Sequence, residues 1–280
     1  MRIPRILAVT ASLISVGCTD QAAVGPLENM RPSLITSGLP DQGAHPYVGL
    51  LVFDNATGPA WLCTGALLSP TVVLTAAHCT QGAVAARIWM DEVVQGNSQF
   101  PFGGTTSYEG TPHTYPGFCV ACGVPFGRLT IVEGDVGVVV LTEAVPTGVV
   151  ADYVQLPQAG LASTLAHGSP IRVVGYGDQF RLVGGGPMRT GGFGRRLTTL
   201  TTFISGEFNN SEQLIRLSMT ASRGKGGLCH GDSGGPDLVG DTDVAVAVNS
   251  FVTSQNCFGL AYSTRIDLPE VLSWIGSFLD

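Results

Sequence analysis

Charge is scarce in this chain. Asp, Glu, Lys and Arg make up 12% of its 280 residues and leave a formal net charge of −7. A sparse acidic surface excludes the basic footprint that nucleic-acid binding needs, and a hydrophobic share of 44% excludes a disordered chain. Helix signals are just as rare and collect at the C-terminus. With 38 Gly and 17 Pro cutting the text into short pieces, a helical protein is excluded in favour of short strands and many turns. Beyond the first twenty residues no apolar run is long enough to be a transmembrane helix.

The opening "MRIPRILAVTASLISVGCTD" pairs Arg2 and Arg5 with the apolar run Ile6 to Val16, which is short for a membrane span. An ordinary cleaved signal peptide fits residues 1–18. So does a bacterial lipoprotein signal, since "ISVGC" resembles a lipobox with Cys18 as the lipidated residue. Both imply export, to the periplasm, the cell surface or the medium, where disulfides form. The seven cysteines support this reading, because assigning Cys18 to the leader leaves an even six.

Residues 19–34 are polar, carry Pro26 and Pro32, and read as a linker or pro-segment. Residues 35–280 read as one domain. There, "YVGLLVF", "TVVLTAA", "GDVGVVVL", "IRVVGYG", "RRLTTLTTF", "QLIRLSM" and "DVAVAVNSF" predict strands, and their spacing points to barrels or a sandwich. A helix is predicted near the end, with Asp267 as cap, Pro269 in its first turn and an apolar face of Val271, Leu272, Trp274, Ile275 and Phe278. The Gly-rich stretch 184–194 reads as a loop.

Chemistry concentrates in "LCHGDSGGPD", residues 228–237. A surface turn, an α/β-hydrolase nucleophile elbow and a different nucleophile site all fit those letters. The elbow requires a histidine later in the chain, and none of His45, His78, His113, His167 and His230 follows Ser233. A serine hydroxyl needs a base, so the base lies upstream. His78 has the most specific surroundings: the buried-looking strand "SPTVVLTAAHC" delivers it, small alanines leave it room, and Cys79 beside it can anchor the loop through Cys63.

"LTAAHC" followed by "GDSGGP" resembles the trypsin/chymotrypsin family of serine proteases. The resemblance runs from about Ile35 to the end, through "HPYVGLL", "VVGYG" and "STRIDLPEVLSWI". It implies an all-β fold of two six-stranded antiparallel β-barrels with a C-terminal α-helix. It also implies a monomeric serine endopeptidase acting on protein or peptide substrates through an acyl-enzyme, with no metal and no cofactor. The implied triad is Ser233 as nucleophile, His78 as base and Asp135 in "EGDVGVVVL" as its orienting acid, with Asp152 as the rival acid. The implied oxyanion donors are the backbone N–H groups of Gly231 and Ser233. Cys229 and Cys257 would bridge beside a substrate pocket with Gly227 at its floor and Ser250, Phe251 and Val252 on its wall. An uncharged floor implies small or medium apolar residues before the scissile bond, ahead of Phe and far ahead of Arg.

Asp232 needs a partner. In the family that partner is a new amino terminus released by cleavage before "IVGG", which makes a zymogen. Here "ITSG" at Ile35 matches only at its ends and no basic residue precedes it, so a cut after a non-basic residue and an internal basic or hydroxyl partner both stay open. Cys119 and Cys122 form a CxxC with no second free pair to complete a zinc site, which favours a local disulfide. The reading from a different class is a catalytically silent binding protein on the same double barrel.

Overall fold

The computed structural model describes residues 38–120, 132–182, 188–205, 212–219 and 226–279. Met1–Arg31 separates as one unit and Pro32–Asp280 as another, and every described residue lies in the second. The leader, Cys18, Ile35 and Cys122 fall outside the described residues.

The first half carries β1 (Leu39–Pro40), β2 (Val48–Asn55), β3 (Gly58–Leu67), β4 (Val72–Thr75), the short helix α1 (Ala77–Thr80), β5 (Ala85–Trp89), β6 (Ser107–Thr114), β7 (Cys119–Val120), β8 (Val132–Glu133) and β9 (Gly137–Leu141). The second half carries α2 (Leu161–Thr164), β10 (Pro170–Gly175), β11 (Phe180–Leu182), β12 (Arg189–Gly191), β13 (Leu197–Ser205), β14 (Leu214–Met219), β15 (Pro236–Val239), β16 (Ala245–Val252), β17 (Gly259–Arg265) and α3 (Pro269–Gly276). Strands β2-β3-β4-β9-β6-β5 close into one antiparallel barrel. Strands β10-β15-β16-β17-β14-β13 close into the other, with β1 added along β13. Closure leaves the barrel strands no free edge, which is how a chain this rich in Val and Leu hides its backbone polar groups.

All seven strands predicted from the sequence are present. β2 is buried along seven of its eight residues, so it reads as a continuous apolar run rather than an alternation. One core runs through the first barrel and on to the packing against the second, joining Leu50, Phe53, Leu74 and Trp89 to Val174, Val248, Val271 and Ile275. A second core fills the other barrel with Ile171, Val173, Phe203, Ile215, Leu217 and Val246.

The C-terminal helix forms, but Asp267 does not cap it. Leu268 occupies that position and makes no side-chain cap bond. The Asp267 carboxylate instead pairs with Arg265 at 2.8 Å and accepts from the N–H of Ala162 at 2.7 Å, because a guanidinium and an orphan amide outcompete the helix end.

A buried ion pair fastens the N-terminal edge of the domain. Asp41 accepts from Arg196 Nε at 2.8 Å and from the backbone N–H of His45 at 2.9 Å, and His45 Nδ1 lies 2.5 Å from its other oxygen. Arg196 Nη1 then donates to the carbonyls of Val48 and Met90 and to the Tyr176 hydroxyl. With Nε and Nη1 engaged and the carboxylate paired, the ion pair tolerates burial that would be costly for either charge alone.

Candidate active site

Two adjacent strands deliver His78 and Asp135 to the same end of the first barrel. β4 and β9 pair antiparallel with Thr75 opposite Gly137. His78 lies three residues beyond Thr75 and Asp135 two residues before Gly137, so both leave the sheet at that end. Asp135 grips the histidine twice. Its Oδ1 accepts from the His78 backbone N–H and its Oδ2 from His78 Nδ1, each at 2.8 Å. The disulfide Cys63–Cys79 ties α1 back to β3, as expected from the sequence. The two sulfurs lie near the His78 ring, but joined as a disulfide they are not the thiolates a metal would need.

Asp135 is wholly buried while the His78 side chain stays 36% exposed. Burial alone would push the Asp135 carboxyl up. The hydrogen bond and charge of His78, the Ser250 hydroxyl at 2.5 Å and the His78 backbone N–H outweigh it and hold the carboxyl below its usual value. The acid is therefore ionised, and it fixes the His78 proton on Nδ1, leaving Nε2 as an acceptor. Ser250, expected on the pocket wall, also braces this acid. Asp152 is exposed in a separate surface groove with Tyr153 and Asp243 and takes no part.

Ser233 and His78 line one cavity of about 250 Å³ together with Leu228, Cys229, His230, Asn249, Ser250, Phe251 and Val252. The loop reaches this position because glycine permits what other residues cannot. Gly231 has φ +97° and Gly234 has φ +81°, and a Cβ on Gly234 would lie 2.1 Å from Thr75 Oγ1. Thr64 holds the loop from the other barrel, its N–H donating to the Ser233 carbonyl and its Oγ1 to the Gly231 carbonyl, both at 2.8 Å. No hydrogen bond among the described residues uses the N–H of Gly231 or of Ser233. The Cys229–Cys257 bridge stands as expected beside the cavity. Gly227, expected at the floor, is buried next to it, and a Cβ there would meet the Met219 side chain at 2.4 Å. The sequence reading does not single out Leu228, His230 or Asn249 as lining residues. The Cys119–Cys122 pairing falls partly outside the described residues.

Asp232 points away from the cavity into a slot and is fully buried. Its oxygens accept from the backbone N–H groups of Gly177 and Cys229, each at 2.8 Å. Gly175 and Gly177 make the slot: a Cβ on Gly175 would lie 2.2 Å from Oδ1. No ion pair to Asp232 occurs among the described residues. Burial pushes its carboxyl up to about 7, the two backbone bonds pull it back, and nearby Asp178 adds to the rise. Neither a basic nor a hydroxyl side chain of the described residues partners it.

The comparisons with known proteins agree with this fold. The Trypsin family model matches residues 35–275. Trypsin theta of Drosophila erecta is 27% identical over 238 residues, 83% of this chain and 80% of the relative. Chymotrypsin-like elastase family member 3B of Homo sapiens is 25% identical over 284 residues, 98% of this chain and 96% of its own. Among solved structures, HL collagenase superposes with a TM-score of 0.60 at 20% identity, covering 83% of this chain and 93% of that one. Human heparin binding protein does so with a TM-score of 0.58 at 19% identity, covering 86% and 95%. With a double barrel, two disulfides at the expected places and a family model spanning most of its length, the chain belongs to the trypsin family of serine proteases.

Proposed function

We propose that this protein is an exported serine endopeptidase in which Ser233, His78 and Asp135 form the catalytic triad. The observation that carries the reading is the double grip of Asp135 on His78, which holds the imidazole by Nδ1 at the edge of the cavity that Ser233 also lines. Ser233 Oγ attacks the peptide carbonyl while His78 Nε2 takes its proton. The imidazolium so formed is stabilised by Asp135 and returns the proton to the leaving amine. Water then attacks the acyl-enzyme by the same route and restores the serine. The developing oxyanion is met by the N–H groups of Gly231 and Ser233, whose donors are uncommitted among the described residues. Such a donor contributes roughly 10²–10³ in turnover in related chemistry. In this reading the triad and the oxyanion donors carry the chemistry themselves, with no role assigned to a metal or cofactor, and the enzyme acts as a monomer.

The leader, residues 1–18, and the segment 19–34 belong to export and activation in this reading, with Cys18 as the candidate lipid anchor. Two disulfides fit an oxidising compartment, and no helix of the described residues is long and apolar enough to cross a membrane. A cut before Ile35 would free an ammonium for Asp232. The register supports its reach: Pro40 pairs with Leu197, which pairs with Gly175 against the carboxylate. Two strand spacings of about 4.8 Å separate Pro40 from Gly175, and the five residues from Ile35 to Pro40 can extend about 17 Å.

Leu228, Val252 and Phe251 give the cavity apolar walls that suit an aliphatic stem on the residue before the scissile bond. Digesting a mixed peptide library and sequencing the new termini tests the proposal. Peptide-bond cleavage that vanishes in Ser233→Ala supports it, and an intact library with hydrolysis of small esters alone refutes it.

A further inference from the structure

The cavity beside Ser233 is lined by the polar Asn249 as well as by Leu228, Phe251 and Val252, and the inference here rests on the peptidase reading above. Asn249 lines the cavity, and its Oδ1 is buried without a hydrogen bond. Directly across from Asn249, on β17, stands Ser263. Ser263 faces the interior of the second barrel, two residues from Ala261 and opposite Ile215, both of that barrel's core. Its hydroxyl is also buried without a hydrogen bond of normal geometry.

Behind them lies Asp237. It stands on β15 between Val173 of β10 and Ala247 of β16, two more residues of the same core. Asp237 is 0% exposed, neither carboxyl oxygen has a hydrogen bond of normal geometry among the described residues, and the Ser263 hydroxyl is the side chain near enough to pull its carboxyl down against burial. Ala247 and Asn249 are two apart on one strand, which sets Asp237 and Asn249 on the diagonal at about 7–8 Å between backbones. Asn249 Oδ1, Ser263 Oγ and both Asp237 oxygens are therefore buried without a hydrogen bond of normal geometry, on neighbouring residues of one barrel wall. Packing does not account for them, since apolar side chains would fill the same barrel without desolvating a carboxyl.

We propose that Asn249, Ser263 and Asp237 form an acceptor relay beside the cavity, selecting a Lys or Arg side chain before the scissile bond. The aliphatic stem would lie along Leu228 and Val252. The cationic head would donate to Asn249 Oδ1, with the Ser263 hydroxyl bridging to the countercharge of Asp237. Met219, whose thioether rests on Gly227 and accepts from the Leu228 N–H, is the flexible neighbour that yields to the incoming chain. Burial pushes the Asp237 carboxyl up to about 8, the state of an acid with no cation beside it. The relay raises Lys and Arg above the last place that an uncharged Gly227 floor gives them.

Two peptides that differ only in Lys or norleucine before the cleaved bond test the relay, read as the ratio of their kcat/KM values. The ratio should favour Lys by at least about 10-fold, and fall about 100-fold in Asp237→Asn and by a lesser factor in Ser263→Ala. Binding of n-butylammonium to the inactive Ser233→Ala chain, lost in Ser233→Ala/Asp237→Asn, gives a readout that needs no catalysis. A ratio favouring norleucine, or one unmoved by Asp237→Asn, overturns the relay. Butylammonium binding without any peptide cleavage keeps the relay and counts against the peptidase reading instead.

Discussion

Asp232 makes the uncleaved chain sensitive to pH in a direction that can be worked out. The carboxyl is fully buried, receives two backbone N–H groups and no cation among the described residues, and titrates at about 7 rather than 3.8. A folded pKa raised above the unfolded one means that the contribution is intact below pH 4 and is lost as pH climbs through about 7. Each pH unit in that window costs about 1.4 kcal/mol, so the whole passage costs about 4 kcal/mol, a large part of a typical domain's 5–15. Asp232→Asn keeps the shape and removes the ionisation. Like the protonated acid, it turns one donor toward a backbone N–H, so the two should start level at low pH. Urea unfolding of both chains in a Ser233→Ala background, uncleaved, from pH 4 to 8.5 is the assay. Asp237 titrates in both and cancels in the difference. The Asp232→Asn chain should gain up to about 4 kcal/mol on its parent as pH rises. A chain that begins at Ile35 should show the gain abolished or reversed, because an ammonium beside Asp232 lowers its pKa. A difference that stays flat across the range would refute this account of the slot.

Asp135→Asn should leave the fold intact and lower kcat about 10⁴-fold, the cost known for this substitution in the family template, because the amide no longer fixes the His78 tautomer. Loss of less than tenfold in stopped-time peptide assays would speak against its role. Replacing Cys63 and Cys79 by Ala removes a loop closure of 16 residues and should cost about 3 kcal/mol in denaturant unfolding, with α1 and His78 loosened. Non-reducing peptide mapping should pair Cys119 with Cys122, and free thiols at both would contradict the local staple.

What the sequence makes legible follows from what the chemistry forces. Gly231 and Gly234 had to be glycine for the loop to turn at positive φ, and the signature around Ser233 is readable for that reason. Strands with continuous Val and Leu, such as β2 and β9, announce themselves by burial. β6 does not: "SYEGTPHT" carries Pro, Gly and no apolar alternation, and it is a strand because β5 and β9 pair with both its edges. Long-range polar pairs are equally silent. Asp41 and Arg196 stand 155 residues apart, and nothing local marks either as the other's partner. Asp237 reads as the polar end of a glycine loop in "GGPDLV", yet strand pairing turns it into the barrel. The second partner of Asp135, Ser250, lies 115 residues away, so its hydrogen bond to the acid is visible only once the barrels are packed.

The central claim is that Ser233 is a nucleophile activated by His78. Treating the folded, disulfide-bonded protein with a fluorophosphonate, after cleavage before Ile35, and mapping the adduct by mass spectrometry tests it most directly. The account predicts one adduct, on Ser233, absent in Ser233→Ala and slowed by several orders of magnitude in His78→Ala. An unlabelled Ser233 in folded, disulfide-bonded protein, or labelling that is indifferent to His78, would contradict it.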